Sequence, residues 1–390
     1  MQGYRRRDGR VGIRNQVLVA YTVECARFVA ETIVQRTVGT ELVGFAGCYS
    51  DPYAYRMLVE LGCHPNVAAV LVVSLGCEST DVAQLADDIG QSGKPVQVIV
   101  IQELGGTRTT IEKGCAIAQA MVADSRELKL DAFAWSELVV GVECGGSDAT
   151  SGFSANPATG WAVDRLIEHG AAVIFSELPE LLGTDPYLLR RARTPQIGDA
   201  ILSGLERARK LGEALGQFAI SRGNEAGGLT TIEEKSLGAL AKAGTKPIDG
   251  VLKTGDRPEG SGLYLLDKVG DVANRQLAHY EINDNDGLVS LIASGAQLLL
   301  FTTGRGSVVG SVVSPVIKIC GNPQTVKRMG DDVDIDASVI VLGREGIPAV
   351  GQRVLACVEE VASGSQTRSE ALGHREYSIP YKPGRACDLI

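Results

Sequence analysis

The chain has 390 residues, 44% of them hydrophobic and only 5% aromatic, with 47 glycines and a formal charge of -9. That length supports two domains with full cores, and the acidic balance argues against a nucleic-acid-binding surface. No apolar run reaches the roughly 18 to 20 residues that span a bilayer, and no hydrophobic segment follows the basic N-terminus, so neither membrane span nor secretory signal is expected.

Residues 16–21 read as a strand, and 26–36 as a helix with Phe28, Val29, Ile33 and Val34 at helical spacing. Another β-type run covers 42–45. Residues 67–75 are almost continuously apolar, as in a strand buried on both faces. A helix over about 79–91 follows, capped by Ser79, Thr80 or Asp81. Residues 96–101 form the next buried strand and 109–123 the next helix. This alternation predicts an α/β domain with a doubly wound, mostly parallel sheet over 1–128. The polar stretch 124–131 marks a boundary, and a larger mixed α/β catalytic domain is expected over 135–390. Its strand candidates are 138–142, 171–175, 298–302, 312–319 and 338–341. Residues 198–220 fit a long amphipathic helix. Thr230-Thr231-Ile232-Glu233-Glu234 holds two overlapping capping boxes.

Cysteines repeatedly follow these β-type runs: Cys25, Cys48, Cys77 and Cys144. In an open parallel sheet the loops after the strands' carboxyl ends form the ligand crevice, so thiols and carboxylates are expected to converge on a rim. The alternative is a set of small buried core residues. The nine cysteines, an odd number with no CxxC pair, fit reduced thiols in a cytoplasm and not a disulfide framework or zinc ribbon. Arg5, Arg6, Arg7, Arg10 and Arg14 form either a solvated strand edge or a seat for an anionic substrate or subunit.

Several segments in order resemble the altronate/galactarate dehydratase family of sugar-acid hydro-lyases. They are the opening 3–15, His64-Pro65-Asn66-Val67, Gly76-Cys77-Glu78, Cys144-Gly145-Gly146-Ser147-Asp148, Ser151-Gly152, and Ala155-Asn156-Pro157-Ala158. The later ones are the 227–238 stretch, Phe301-Thr302-Thr303-Gly304-Arg305-Gly306 and Pro315-Val316-Ile317-Lys318. The resemblance implies a second family domain followed by the catalytic domain. It also implies a lyase that eliminates water from a small sugar acid such as altronate or galactarate, giving a 2-keto-3-deoxy acid. The family's small N-terminal domain has no counterpart here, which implies a separate small subunit of about 100 residues. Gly47-Cys48-Tyr49 stands where family dehydratases carry a histidine and a Gly-Cys-Gly turn. A related member eliminates sulfite from sulfolactate and also has large and small subunits. A homo-oligomer is expected.

Such an elimination needs stabilisation of an enediolate, with a base and an acid at the two reacting carbons. An iron-type metal suits thiolate and carboxylate ligands, so Cys48, Cys77, Cys144, Glu78 and Asp148 are candidate ligands for Fe2+, with Mn2+ or an iron–sulfur cluster as alternatives. Gly145, Gly146, Ser147 and Ser151 offer backbone N–H groups to a substrate carboxylate. Asn156, before Pro157, is biased to extended backbone and its amide suits substrate hydroxyls. Glu177 and Glu180 follow a strand end, as a catalytic carboxylate would; solvated helix-start acids are the competing account. Lys235 sits in a first helical turn that capping does not explain. Arg305, between two glycines, fits bidentate capture of a carboxylate or sulfonate. Glu177, Lys235 and Asn156 are therefore the catalytic candidates. His64 reads as structural. The competing readings are a sulfite-eliminating enzyme of the same fold and a non-catalytic binding or scaffold subunit. A nicotinamide dehydrogenase is disfavoured because no GxGxxG follows the first strand.

Overall fold

Continuous β-branched runs decide the centre of each sheet. Every residue of the strand Val67–Ser74 is buried, as is all but the first of Gln16–Tyr21. In this computed structural model, which describes residues 1–49, 51–215, 222–269 and 283–380, the two strands pair in parallel. Thr40–Gly44 and Val96–Val100 flank them, giving the order 40–44, 16–21, 67–74, 96–100. Helices Glu24–Arg36 and Thr107–Arg126 pack together on one face, and Pro52–Gly62 and Val82–Gly90 on the other. The sheet is therefore doubly wound, as expected. Val96–Val100 differs from the expected buried strand: of its five residues only Ile99 is buried, because it is the sheet's edge.

Chain contacts divide the molecule into Gln2–Phe133, joined by the chain from Tyr377 onward, and Ala134–Glu376. In the first unit the basic opening is structural. It forms the antiparallel strands Gln2–Arg5 and Val11–Gly12. Arg6 donates to the Pro65 carbonyl at 2.6 Å and Arg10 to the Cys63 carbonyl at 2.6 Å. Lys94 donates to the carbonyls of Gly62 and His64. These cations satisfy the carbonyls left open where Pro52–Gly62 ends. His64 is buried and accepts from the Asn66 N–H at 3.1 Å.

The second unit is built on a seven-stranded parallel sheet in the order 248–252, 262–266, 172–175, 139–144, 298–303, 316–320, 335–336. The order reverses between Val139–Cys144 and Leu298–Thr303, so a crevice opens beyond their carboxyl ends. Helix Ala155–Glu168 packs against helix Ile347–Ala362, where the absent side chain of Gly351 leaves room for the Trp161 ring. Two sequence expectations need correction here. Residues 338–341 form a short helix, not a strand, since four apolar residues carry no usable period. The strand expected over 312–319 begins only at Val316. The amphipathic helix is described as Pro195–Leu215, and its expected end at 216–220 lies outside the described residues. No helix among the described residues is long and apolar enough to cross a membrane.

Candidate active site

The carboxyl ends of two neighbouring strands and one helix bring five ionisable side chains together. Val139–Cys144 delivers Cys144, and the turn after Ala172–Phe175 delivers Glu177 and Glu180. Helix Ile232–Ala241 with its C-cap delivers Lys235 and Lys242. The Cys144 thiol lies 3.1 Å from both Glu177 Oε1 and Glu180 Oε2. Lys242 Nζ stands 3.1 Å and Lys235 Nζ 3.5 Å from the same sulfur. Lys242 is ion-paired with Glu177, and Lys235 with Glu180 at 2.9 Å. Lys235 also donates to Ser147 Oγ at 2.6 Å. Lys242 is wholly buried and Lys235 3% exposed, whereas the Glu180 side chain keeps 19% of its surface open to solvent. Glu180 is thus the member that faces outward.

Glu177 is the one non-glycine with positive φ among the described residues, at 73°. A left-handed backbone at such a residue costs on the order of 1–3 kcal/mol, and that strain concentrates at functional sites. Its carboxylate is held in place by the Cys144 backbone N–H, which donates to Oε2 at 3.0 Å.

Burial and surrounding charge separate the two carboxyls. Burial opposes ionisation of Glu177, but the ammonium groups of Lys242 and Lys235 outweigh it and hold its pKa below the usual range. Burial and then the Glu177 charge push Glu180 upward. Burial, followed by the charges of Glu177 and Glu180, pushes the Cys144 thiol well above its ordinary value. Burial alone would discharge the lysines. The Cys144 sulfur and the two carboxylates raise both pKa values instead.

Beside this cluster, loop 304–306 crosses loop 145–148. The N–H groups of Gly304 and Arg305 donate to the Gly146 carbonyl at 3.0 and 2.9 Å. Arg305 is exposed and lines a cavity of about 520 Å³ with Asp148, Gly227, Asn322, Thr325 and Arg328.

Other expected ligands are engaged within the protein. Gly145 N–H donates to Thr302 O, Ser147 N–H to Asn224 Oδ1 and Asp148 N–H to Ser151 Oγ. These groups hold the loop and turn the N–H groups of Gly145, Ser147 and Ser151, expected to cradle a substrate carboxylate together with Gly146, to acceptors within the protein. Asp148 accepts from Thr150 N–H, Thr150 Oγ1, Ser151 Oγ and Asn322 Nδ2. Asn156 is helical, not extended, within Ala155–Glu168. Its buried amide donates to the Gly238 carbonyl at 2.9 Å, fastening that helix to the one carrying both lysines.

In the first unit, Cys48 and Cys77 are exposed. Ser79 N–H donates to the Cys48 carbonyl at 3.0 Å, so their loops adjoin. Glu78 accepts from Thr22, Ser74 and Leu75 on Oε1 and from the N–H groups of Gly76 and Cys77 on Oε2. Both oxygens are occupied by neutral donors. Burial opposes its charge, yet these hydrogen bonds bring its pKa down to about 2.

Among the described residues, Cys144, Glu177 and Glu180 form the group whose sulfur and oxygens lie close enough together to hold a metal, all within 4.8 Å. The donor types suit iron. Two ammonium groups, however, already contact these same atoms, so the arrangement does not fit a divalent ion.

Sequence reasoning had no reason to select Lys242. Its one signal is the spacing of seven from Lys235, two helical turns along one face. Asn322 and Arg328 carried no sequence signal.

A parallel α/β unit with acids, ammoniums and a guanidinium at the switch point of its sheet has the layout of an elimination enzyme. Residues 135–385 match the family model D-galactarate/altronate dehydratase, C-terminal. Residues 3–126 match D-galactarate dehydratase/altronate hydrolase, second domain. The chain belongs to this dehydratase family, and it is a lyase. It is 35% identical to the (2R)-sulfolactate sulfo-lyase subunit beta of Chromohalobacter salexigens, over 97% of this chain and 96% of the relative. It is 31% identical to the altronate dehydratase of Escherichia coli, over 98% of this chain and 78% of the relative. The galactarate dehydratase (L-threo-forming) of Escherichia coli is 32% identical, over 97% of this chain and 76% of the relative.

Proposed function

We propose that this chain is the catalytic subunit of a hydro-lyase that removes water from a small sugar acid to give a 2-keto-3-deoxy acid. The observation that carries this reading is the convergence of Glu177 and Glu180 on one sulfur, the first buried against Lys242 and the second facing solvent beside Lys235. Two carboxyls in such contrasting surroundings suit the roles of a base and an acid. Glu177 takes the proton alpha to the substrate carboxylate, and the outward-facing Glu180, in its protonated form, gives its proton to the departing β-hydroxyl. The C–O bond breaks, water leaves, and the enol rearranges to the 2-keto acid. Lys235 and Lys242 supply positive charge where the enediolate develops. Arg305 anchors an anionic group from the cavity side.

A second reading keeps these roles but expels sulfite from a sulfonated hydroxy acid. The sulfo-lyase relative favours it, because the match runs through 96% of that protein. That relative is itself one subunit of its enzyme, which also supports assembly of this chain with a partner subunit.

The test is co-expression with a small partner subunit, followed by assay of altronate, galactarate and sulfolactate for keto-acid formation and sulfite release. Glu177→Gln should lose the acidic limb of the pH profile and Glu180→Gln the alkaline limb. Each should cost about 100-fold or more in kcat/KM. Wild-type kinetics in both variants would sink the assignment.

A further inference from the structure

The cavity beside the site carries a second guanidinium. Arg328 comes from helix Pro323–Met329, an element separate from the Arg305 loop, and both side chains line the same space. Their relative placement is built in. Thr325 Oγ1 donates to the Gly304 carbonyl at 2.7 Å, tying the helix to the loop. Gly306, at φ 87°, leaves room for Met329, whose sulfur a side chain there would strike. Asn322 caps the helix by accepting from the N–H groups of Gln324 and Thr325. It donates its own amide to Asp148.

Asp148 is the one carboxylate in this lining, and its oxygens are taken by Thr150, Ser151 and Asn322. Among the described residues neither arginine is paired with an acid; Arg328 reaches only Gln324 Oε1, at 3.5 Å. Two guanidiniums over one cavity present two separate forks, and each planar fork suits one carboxylate or sulfonate. A monoanion would engage one fork and leave the other without an anionic partner.

We propose that the cavity selects acids with two anionic groups, a dicarboxylate or a carboxylate bearing a sulfonate, with Arg305 and Arg328 as the paired anchors. This rests on the lyase reading for the chemistry that follows binding, but not for the binding itself. The test therefore uses acids that have no β-leaving group: malonate, sulfoacetate and glycolate, titrated calorimetrically against the full chain. Malonate and sulfoacetate should bind at least about tenfold more tightly than glycolate, the scale of one charged hydrogen-bonded contact. Arg328→Gln should bring the dianions to the level of glycolate. Arg328→Lys, which keeps charge but not the fork, should fall between. Equal affinities for all three acids, dianion binding untouched by Arg328→Gln, or no binding of the dianions would each overturn the proposal. Loss of the elimination reading would show differently, as dianion selectivity without keto-acid product from any substrate.

Discussion

Glu78 and Glu177 make an instructive pair. Both are carboxylates just past the end of a buried parallel strand, and both come from glutamate–cysteine neighbourhoods, yet their surroundings give them opposite roles. Glu78 closes the switch point of the first sheet. It bridges the ends of strands 16–21 and 67–74 through Thr22 and Ser74, and fills a turn of three successive N–H groups. Its partners are neutral and do not titrate. Glu177 is surrounded by a thiol, a second carboxyl and two ammoniums, all of which can exchange protons. A strand-end carboxylate therefore acquires chemistry from the kind of donor around it, and fixed dipoles make it a brace.

Removing one partner on the Glu177 side should have the largest effect. Lys242→Met leaves a buried carboxylate uncompensated, which costs about 3–5 kcal/mol of stability. Denaturant unfolding measures this directly, and turnover should be lost as well. A stability change below about 1 kcal/mol would mean that Glu177 takes up a proton without cost and that the two sites differ less than the contacts indicate.

Glu78→Gln tests the opposite side. Amide for carboxylate keeps the shape but weakens bonds to a partly exposed charge, so a loss of about 1 kcal/mol is expected, with kcat within about twofold. The acid limb sharpens it. Because the folded pKa, about 2, lies below that of an unfolded glutamate, the charge contributes stability above the unfolded value. That contribution disappears as pH falls from about 4.3 toward 2. The variant should lose that slope in acid-unfolding curves.

The smallest effect belongs to Asn156→Ala. Removing the bond to Gly238 costs about 0.5–1.5 kcal/mol. Its catalytic consequence is indirect, through the helix that carries the lysines. An unchanged KM with modestly lower kcat fits this, whereas a large rise in KM would restore the substrate-contact role expected from sequence.

Legibility followed physical causes. Strands 16–21, 67–74 and 298–303 were readable because each is a short, nearly continuous apolar run, too short for a helix and bounded by turn residues. Ile248–Leu252 was not, since Asp249 and Gly250 interrupt its apolar run and its neighbour Gly262–Leu266 is needed to explain it. Cys144, Glu177 and Lys235, which the structure brings together, and Arg305 on the adjoining loop were selected because each follows a strand end or occupies an unexplained helical position. Glu78 and Asp148 looked like ligands for the same reason, and the difference lies in backbone and hydroxyl donors that composition cannot reveal. Lys242 escaped because a lysine at a helix end is ordinarily solvated, and only the packing of its helix over Cys144 buries it.

The seven-residue interval between Lys235 and Lys242 makes their helix a ruler. Each added residue turns an α-helix by about 100°, so one insertion between 236 and 241 would swing Lys242 away from the sulfur and leave the buried Glu177 carboxylate uncompensated. Length drift between the two lysines is therefore expected to cost function and stability together. In a relative with altered spacing there, the site would have to have lost its chemistry or rebuilt its charge balance from another element.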